Sequence, residues 1–335
     1  MKRKITKKIF LTLGLMCLLF ITMPAAAFSW SQATHAYIAD RLGARVSHAN
    51  LDEMWGSVAP DFFNYIFDPA LCPTWVSDQT HGMYSDTFLK VWNTAETKAE
   101  KALAYGFVSH NEQWGDDHTA HESSLTLQHD EGYIITKEKI LLNTPYPADP
   151  QQTFGEVFSG LGMDPYEAEM VAHLITEYSI DIMLGKDADP FLGRKLETAA
   201  HARSKNFPDL LVKAFGTDYA DYCFGGDLSK AASVLTAAEE EHREEMIFLG
   251  RAISQSEPVA VQLLAERVVS ILPDFLGGPL PIPEAEAIEI VKTAISQSMD
   301  MCNDYIEEIE ATIEFVGENL KDHGITYLYP GNERD

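Results

Sequence analysis

The stretch DPYEAEMVAHLITEYSIDIMLG, residues 164–185, decides the fold class. Asp164 is an N-cap acid, Pro165 stands at the first helical position and Glu167 at the capping-box position. The helix they open runs to Leu184 and stops near Gly185. Met170, Val171, Leu174, Ile175, Ile180 and Ile182 make it strongly apolar, so it belongs in a core. Working outward, residues 32–45 carry apolar side chains at helical spacing. Thr87 to His110 reads as a long helix continuing towards Glu122, and Leu228–Ile253 and Glu284–Leu320 as two more. No run alternates in the manner of a strand. The expected class is all-α, a multi-helix bundle. Pro- and Gly-rich breaks fall at Asn143–Pro150 and Pro273–Pro283, and there is no internal repeat or low-complexity segment.

The chain has 335 residues, 46% hydrophobic and 23% charged, which is globular composition and excludes a disordered or fibrous chain. Its formal net charge is −26. Residues 1–29 hold five basic residues and no acid, so the remainder has 20 basic against 51 acidic residues, a net charge of −31. So acidic a body repels nucleic acid and anionic membrane over most of its surface. An anionic substrate would have to be attracted by a few fixed positive charges.

Residues 1–29 read as a secretory signal: a basic start, an apolar run from Ile9 to Met23, then Pro24 and small residues. The competing reading is an uncleaved anchor, for which the run is short. Cleavage fits after Ala27, or after Ser29 with Trp30 left first. The expected location is exported, periplasmic or secreted. Cys72, Cys223 and Cys302 then remain, enough for at most one disulfide. With no Cys-x-x-Cys pair, a thiolate zinc site is not expected.

Histidines carry the chemistry. Seven of the eleven lie between His35 and His129. In the helix read through 106–121, offsets of 0, +7 and +11 place His110, Asp117 and His121 on one face, where an aspartate between two histidines can bridge two metal ions. Asp116 and His118 sit about 100° round and fit less well. His173 and Glu177, four apart on an apolar helix, form either a buried ion pair or a metal-ligand pair. His35 starts a helix. Asp61, in Ala59-Pro60-Asp61-Phe62, occupies a tight turn as cap or ligand. His81, in Thr80-His81-Gly82, is read in a loop between helices.

Taken in order, Trp30, His35, Asp61, His81, His110, Asp117, His121, His173 and Glu177 resemble the pattern of the bacterial zinc-dependent phospholipase C family. Its relatives include phospholipase C/D-type domains and single-strand-specific zinc nucleases. The resemblance covers Trp30 to Gly185. It implies an all-helical bundle holding three zinc ions (Zn2+) in a cleft. By the same resemblance, the α-amino group and carbonyl of Trp30 join His35 on one zinc. His81 and His110 hold a second, with Asp61 beside it as ligand or general base, and Asp117 bridges the two. His121, His173 and Glu177 hold the third. The gap from His110 to Asp117 is three residues longer than the family's usual His-x-x-x-Asp, which leaves Asp116 in reserve as the bridge. Ala120 stands where a proline often precedes the last histidine of this motif. Trp30 as a ligand requires cleavage after Ser29, and His129 is the substitute donor.

The domain reading is a signal over 1–29, a helical zinc-dependent phosphodiesterase-like domain over 30–272, and a C-terminal helical extension over 273–335 packed on it. The function implied is a secreted zinc-dependent hydrolase of phosphate esters, a phospholipase C-like phosphodiesterase acting through a metal-activated water. Its partner would be a phospholipid or other phosphodiester, with transient membrane-surface contact. Nucleic acid is disfavoured by charge, and no protein partner is identifiable. The alternatives are a single-strand nuclease of the same superfamily and a non-catalytic periplasmic metal-binding or scaffold protein.

Overall fold

The computed structural model describes residues 30–43, 50–127 and 130–326. The 1–29 segment, His48 and His129 lie outside them. Helix makes up 75% and strand 2%, so the class is all-α.

Helix α1, Gln32–Leu42, is followed by α2, Asn50–Val58, and a 3-10 turn, Ala59–Tyr65, begun by Pro60. Next come α3, Pro73–His81, α4, Leu89–Thr94, and α5, Lys98–Ser109. Two glycines set how α2 and α5 cross. A Cβ on Gly56 would stand 2.0 Å from Leu103 O, and one on Gly106 2.0 Å from Glu53 O. The backbones therefore touch, and the end of α5 is delivered against the end of α2.

The long helix read through His110 is broken. Asn111 Oδ1 accepts from the Gln113 and Trp114 amides, both at 2.9 Å, and Gly115 N donates to Asn111 O. This side-chain turn outcompetes continued helix. The chain re-enters helix only at α6, Asp116–His121. His110 and Asp117 thus sit on two elements, not on one helical face.

Helix α7, Tyr133–Asn143, leads into a small antiparallel hairpin of β1, Pro145–Tyr146, and β2, Asp149–Thr153, which begins in the expected break and runs three residues past Pro150. After α8, Phe154–Gly160, comes α9, Pro165–Met183, with the Asp164–Glu167 capping box in place. It is central: 13 of its 19 residues are buried, so its polar side chains must find partners inside.

The remaining helices are α10, Leu192–Ala202, α11, Phe207–Cys223, α12, Leu228–Ile253, and α13, Glu257–Phe275. The span read as one helix from Glu284 is two, α14, Glu284–Met301, and α15, Tyr305–Asp322, broken at Cys302. Glu308 of α15 accepts from Ser124 Oγ and from the Leu125 and Thr126 amides, and Thr312 Oγ1 donates to Thr119 Oγ1 at 2.9 Å. These bonds pin α6 and the loop after it. Cys72 and Cys223 form a disulfide across 151 residues, and Cys302 is a buried thiol.

Candidate metal centre

Five imidazoles converge. His35 comes from the first turn of α1 and His81 from the last residue of α3, not from a loop, because Gly82 caps that helix at φ 71°. His110 caps α5, His121 ends α6 and His173 lies in α9. Ring centroids are 4.1 Å apart for His35–His110, 4.9 Å for His81–His110 and 5.5 Å for His121–His173.

The five rings share one pattern: Nδ1 meets an oxygen, and in His35, His81, His110 and His173 Nε2 faces another group of the cluster. His110 Nδ1 donates to Ser57 O at 2.7 Å, the contact that the Gly56–Gly106 crossing delivers. His81 Nδ1 lies 3.1 Å from Ser77 O. His121 Nδ1 pairs with Glu112 Oε1 at 2.7 Å and His173 Nδ1 with Glu138 Oε2 at 2.6 Å. His35 Nδ1 faces Asp116 Oδ2 at 3.0 Å. A carbonyl can only accept, so His110 carries a hydrogen on Nδ1, whereas His81 Nδ1 also meets the Thr80 hydroxyl at 2.8 Å, which can donate to it or accept from it. The Nε2 atoms of His81 and His110 are 3.2 Å apart. His121 Nε2 is buried with no hydrogen-bond partner among the described residues.

The carboxylates fill the spaces between. Asp117 Oδ2 lies 3.1 Å from His110 Nε2 and 3.7 Å from His81 Nε2, and its Oδ1 lies 3.5 Å from His35 Nε2. Neither oxygen accepts a hydrogen bond among the described residues. Asp61, in the 3-10 turn, places Oδ1 3.3 Å from His81 Nε2 and Oδ2 3.7 Å from His110 Nε2. Glu177 Oε1 is 3.2 Å from His173 Nε2. Burial and the neighbouring Glu112 push the Asp117 carboxyl well above its usual range, the sign of crowded negative charge.

Asp61, Glu112, Asp116, Asp117, Glu138 and Glu177 are each at most 8% exposed, and each ion-pair contact they make among the described residues is to a histidine. Six buried carboxylates with no Lys or Arg paired to them among the described residues need positive charge beside them, which protonated imidazoles or a bound cation can supply. Buried His and Asp groups here could hold metal ions: His35, His110, Asp116 and Asp117 form one set, Asp61, His81 and His110 another, and Glu112, Asp117 and His121 a third. Nitrogen and oxygen donors without thiolate suit a borderline divalent cation.

The eight side chains singled out from sequence, His35 through Glu177, are all in this assembly. Trp30 is beside it: its buried indole stacks on Tyr133 at 5.4 Å and donates Nε1–H to Thr119 Oγ1 on α6. Asp116 does not point elsewhere as its helical angle suggested. It is buried against His35, because α6 is a short helix whose first turn faces inward. His118 is outside, on Glu112 O and the Phe315 ring.

Sequence reading missed Glu112, Glu138 and Asp181. Asp181, one turn beyond Glu177 on α9, accepts from Ser31 Oγ, Ala33 N, Thr34 N and Thr34 Oγ1. It therefore caps α1 from another helix, where Ser31 makes no cap of its own.

The donors are buried, apart from the partly exposed His121. One surface depression of about 450 Å³ is lined by Thr136, Ile140, Asn143 and Pro145. Another of about 220 Å³ is lined by Pro69, Trp75 and Tyr222. Neither includes a group of the cluster. Comparisons with family models, characterised proteins and solved structures find no match.

Proposed function

We propose that this chain is an exported, zinc-dependent hydrolase of phosphate esters, acting on phosphodiesters in the manner of the phospholipase C family. The observation that carries the reading is the carboxylate of Asp117, whose two oxygens face His35 on one side and His81 and His110 on the other. A carboxylate so placed can hold two cations as neighbours. Three divalent ions would also balance the six buried carboxylates.

His35, Asp117 and the Trp30 backbone would serve one ion. Asp61, His81, His110 and Asp117 would serve the second, and His121, His173 and Glu177 the third. Bound ions of this kind lower the pKa of a water and hold phosphoryl oxygens. The chain itself supplies orientation: Glu112, Asp116 and Glu138 fix the imidazoles, and Asp61 can take the proton of the attacking water. His121, the most exposed of the five histidines at 12%, marks the side from which a phosphodiester headgroup would enter.

Burial of nearly every donor favours a second reading, a structural metal centre in a non-catalytic exported protein. One experiment separates them. The purified chain is analysed for bound metal and assayed on bis(p-nitrophenyl) phosphate, short-chain phosphatidylcholine and single-stranded DNA. About three zinc per chain with phosphodiester cleavage supports the enzyme. Bound zinc with no cleavage supports the structural reading, and no bound metal removes both.

A further inference from the structure

Gln32 stands three residues before His35, at the start of α1. Its Nε2 donates to Asp61 Oδ2 at 2.6 Å, while Asp61 Oδ1 faces His81 Nε2 at 3.3 Å. Only the NH2 end of an amide can meet a carboxylate, so the contact fixes which way the side chain faces. The other end, Oε1, is buried and accepts no hydrogen bond among the described residues.

As a stabilising device this is a poor arrangement. An unmet buried carbonyl oxygen costs free energy of the same order as the bond made at the other end. The amide is nevertheless held firmly, because its neighbours Ser31, Ala33 and Thr34 are all tied to Asp181. A rigid first turn of α1 thus carries a donor to one particular oxygen of one particular carboxylate.

We propose that Gln32 is a positioning residue of the metal centre, holding the Asp61 carboxylate in the orientation that lets it share a cation with His81 and His110. An amide suits that task. Lys or Arg at this position would make the same hydrogen bond but would neutralise Asp61 and repel the cation. Gln32 orients without altering the charge of the site. The inference rests on the metal reading above and adds a residue that no ligand pattern includes.

The test compares the full chain with Gln32→Leu and Gln32→Ala, the second leaving room for water if leucine packs badly. Zinc affinity is measured by competition with a chromophoric chelator, cobalt(II) replaces zinc for visible spectroscopy, and the chelator-treated proteins are melted. In both variants one bound cation should loosen about 10–100-fold, as for loss of an outer-shell partner, and the cobalt bands should shift. The remaining cations and the melting temperature of the chelated protein should stay as in wild type. Unchanged affinity and spectrum overturn the proposal. So does a lower melting temperature without selective loosening, which would make Gln32 merely structural. If wild type holds its cations and both variants loosen one, yet no phosphodiester is cleaved, the hydrolase reading fails while the role of Gln32 stands. A wild type that binds no cation overturns both.

Discussion

The Nε2 atoms of His81 and His110 lie 3.2 Å apart inside the protein, while the Nδ1 of each ring is engaged on its far side, by Ser57 O for His110 and by Ser77 O and the Thr80 hydroxyl for His81. Two imidazole nitrogens that close repel unless a proton or a cation lies between them. The neighbouring oxygens of Asp61 and Asp117 would favour a cation there as well as a proton.

Asp117→Ala should release at least one equivalent of bound cation, because it deletes the carboxylate facing three of these imidazoles. The melting temperature of the loaded protein should fall towards that of the chelated wild type, since bound metal stabilises the native state by mass action. Elemental analysis beside calorimetry checks it. Full metal content in the variant refutes the bridge.

Glu138→Gln keeps the shape of the side chain but weakens the partner of His173 Nδ1. The cation assigned to His121, His173 and Glu177 should bind about 10–100-fold more weakly, with the others unaffected. Chelator competition measures this, and the same affinity for every cation would mean that Glu138 only fills space.

Asp181→Ala leaves Ser31, Ala33 and Thr34 without the acceptor they share. Stability should fall by about 1–3 kcal/mol, the scale for leaving buried hydrogen-bonding groups without their partner. The cation served by His35 should loosen as well, because α1 loses its fixed start. Denaturant unfolding and metal titration report the two effects separately.

His242 provides a pH prediction. It is buried on α12 between the rings of Trp55 and Tyr65, and burial pulls its pKa down to about 4. The unfolded chain takes up this proton below pH 6.5 and the folded one only below about 4. Stability therefore falls as pH drops through that window, by about 3 kcal/mol in all. In chelator-treated protein, His242→Phe should lose less stability than wild type between pH 7 and pH 4.5. Parallel losses in the two proteins would show that His242 does not drive this response.

Much of this fold is written locally. Asp164, Pro165 and Glu167 start a helix by themselves, and the apolar spacing after Leu228 needs no tertiary information. The break after His110 has local signals in Asn111 and Gly115, whereas the one at Gly82 reads directly from sequence and misplaces His81 by a single residue, from the last turn of α3 into a loop. His110 and Asp117 share the site from two elements rather than from one helical face, because the helix ends at Ser109. Glu138 could not be found this way. In Lys137-Glu138-Lys139 it reads as a solvated charge, and only the packing of α7 on α9 places it against His173. Asp181 had a local signal, a carboxylate one turn past Glu177 on an apolar helix, but its partners lie about 150 residues away.

The Cys72–Cys223 bond makes residues 72–223 a covalent ring. That ring contains His81, His110, Glu112, Asp116, Asp117, His121, Glu138, His173 and Glu177, whereas His35 and Asp61 lie outside it. An oxidised chain that has lost its helices would still keep those donors tethered within one closed loop, with less entropy to lose on regathering them. If the cluster holds cations, such a chain would act as a macrocyclic chelator and recapture a cation more readily than an open chain. Oxidation would then set not only how stable the protein is but how readily it reloads.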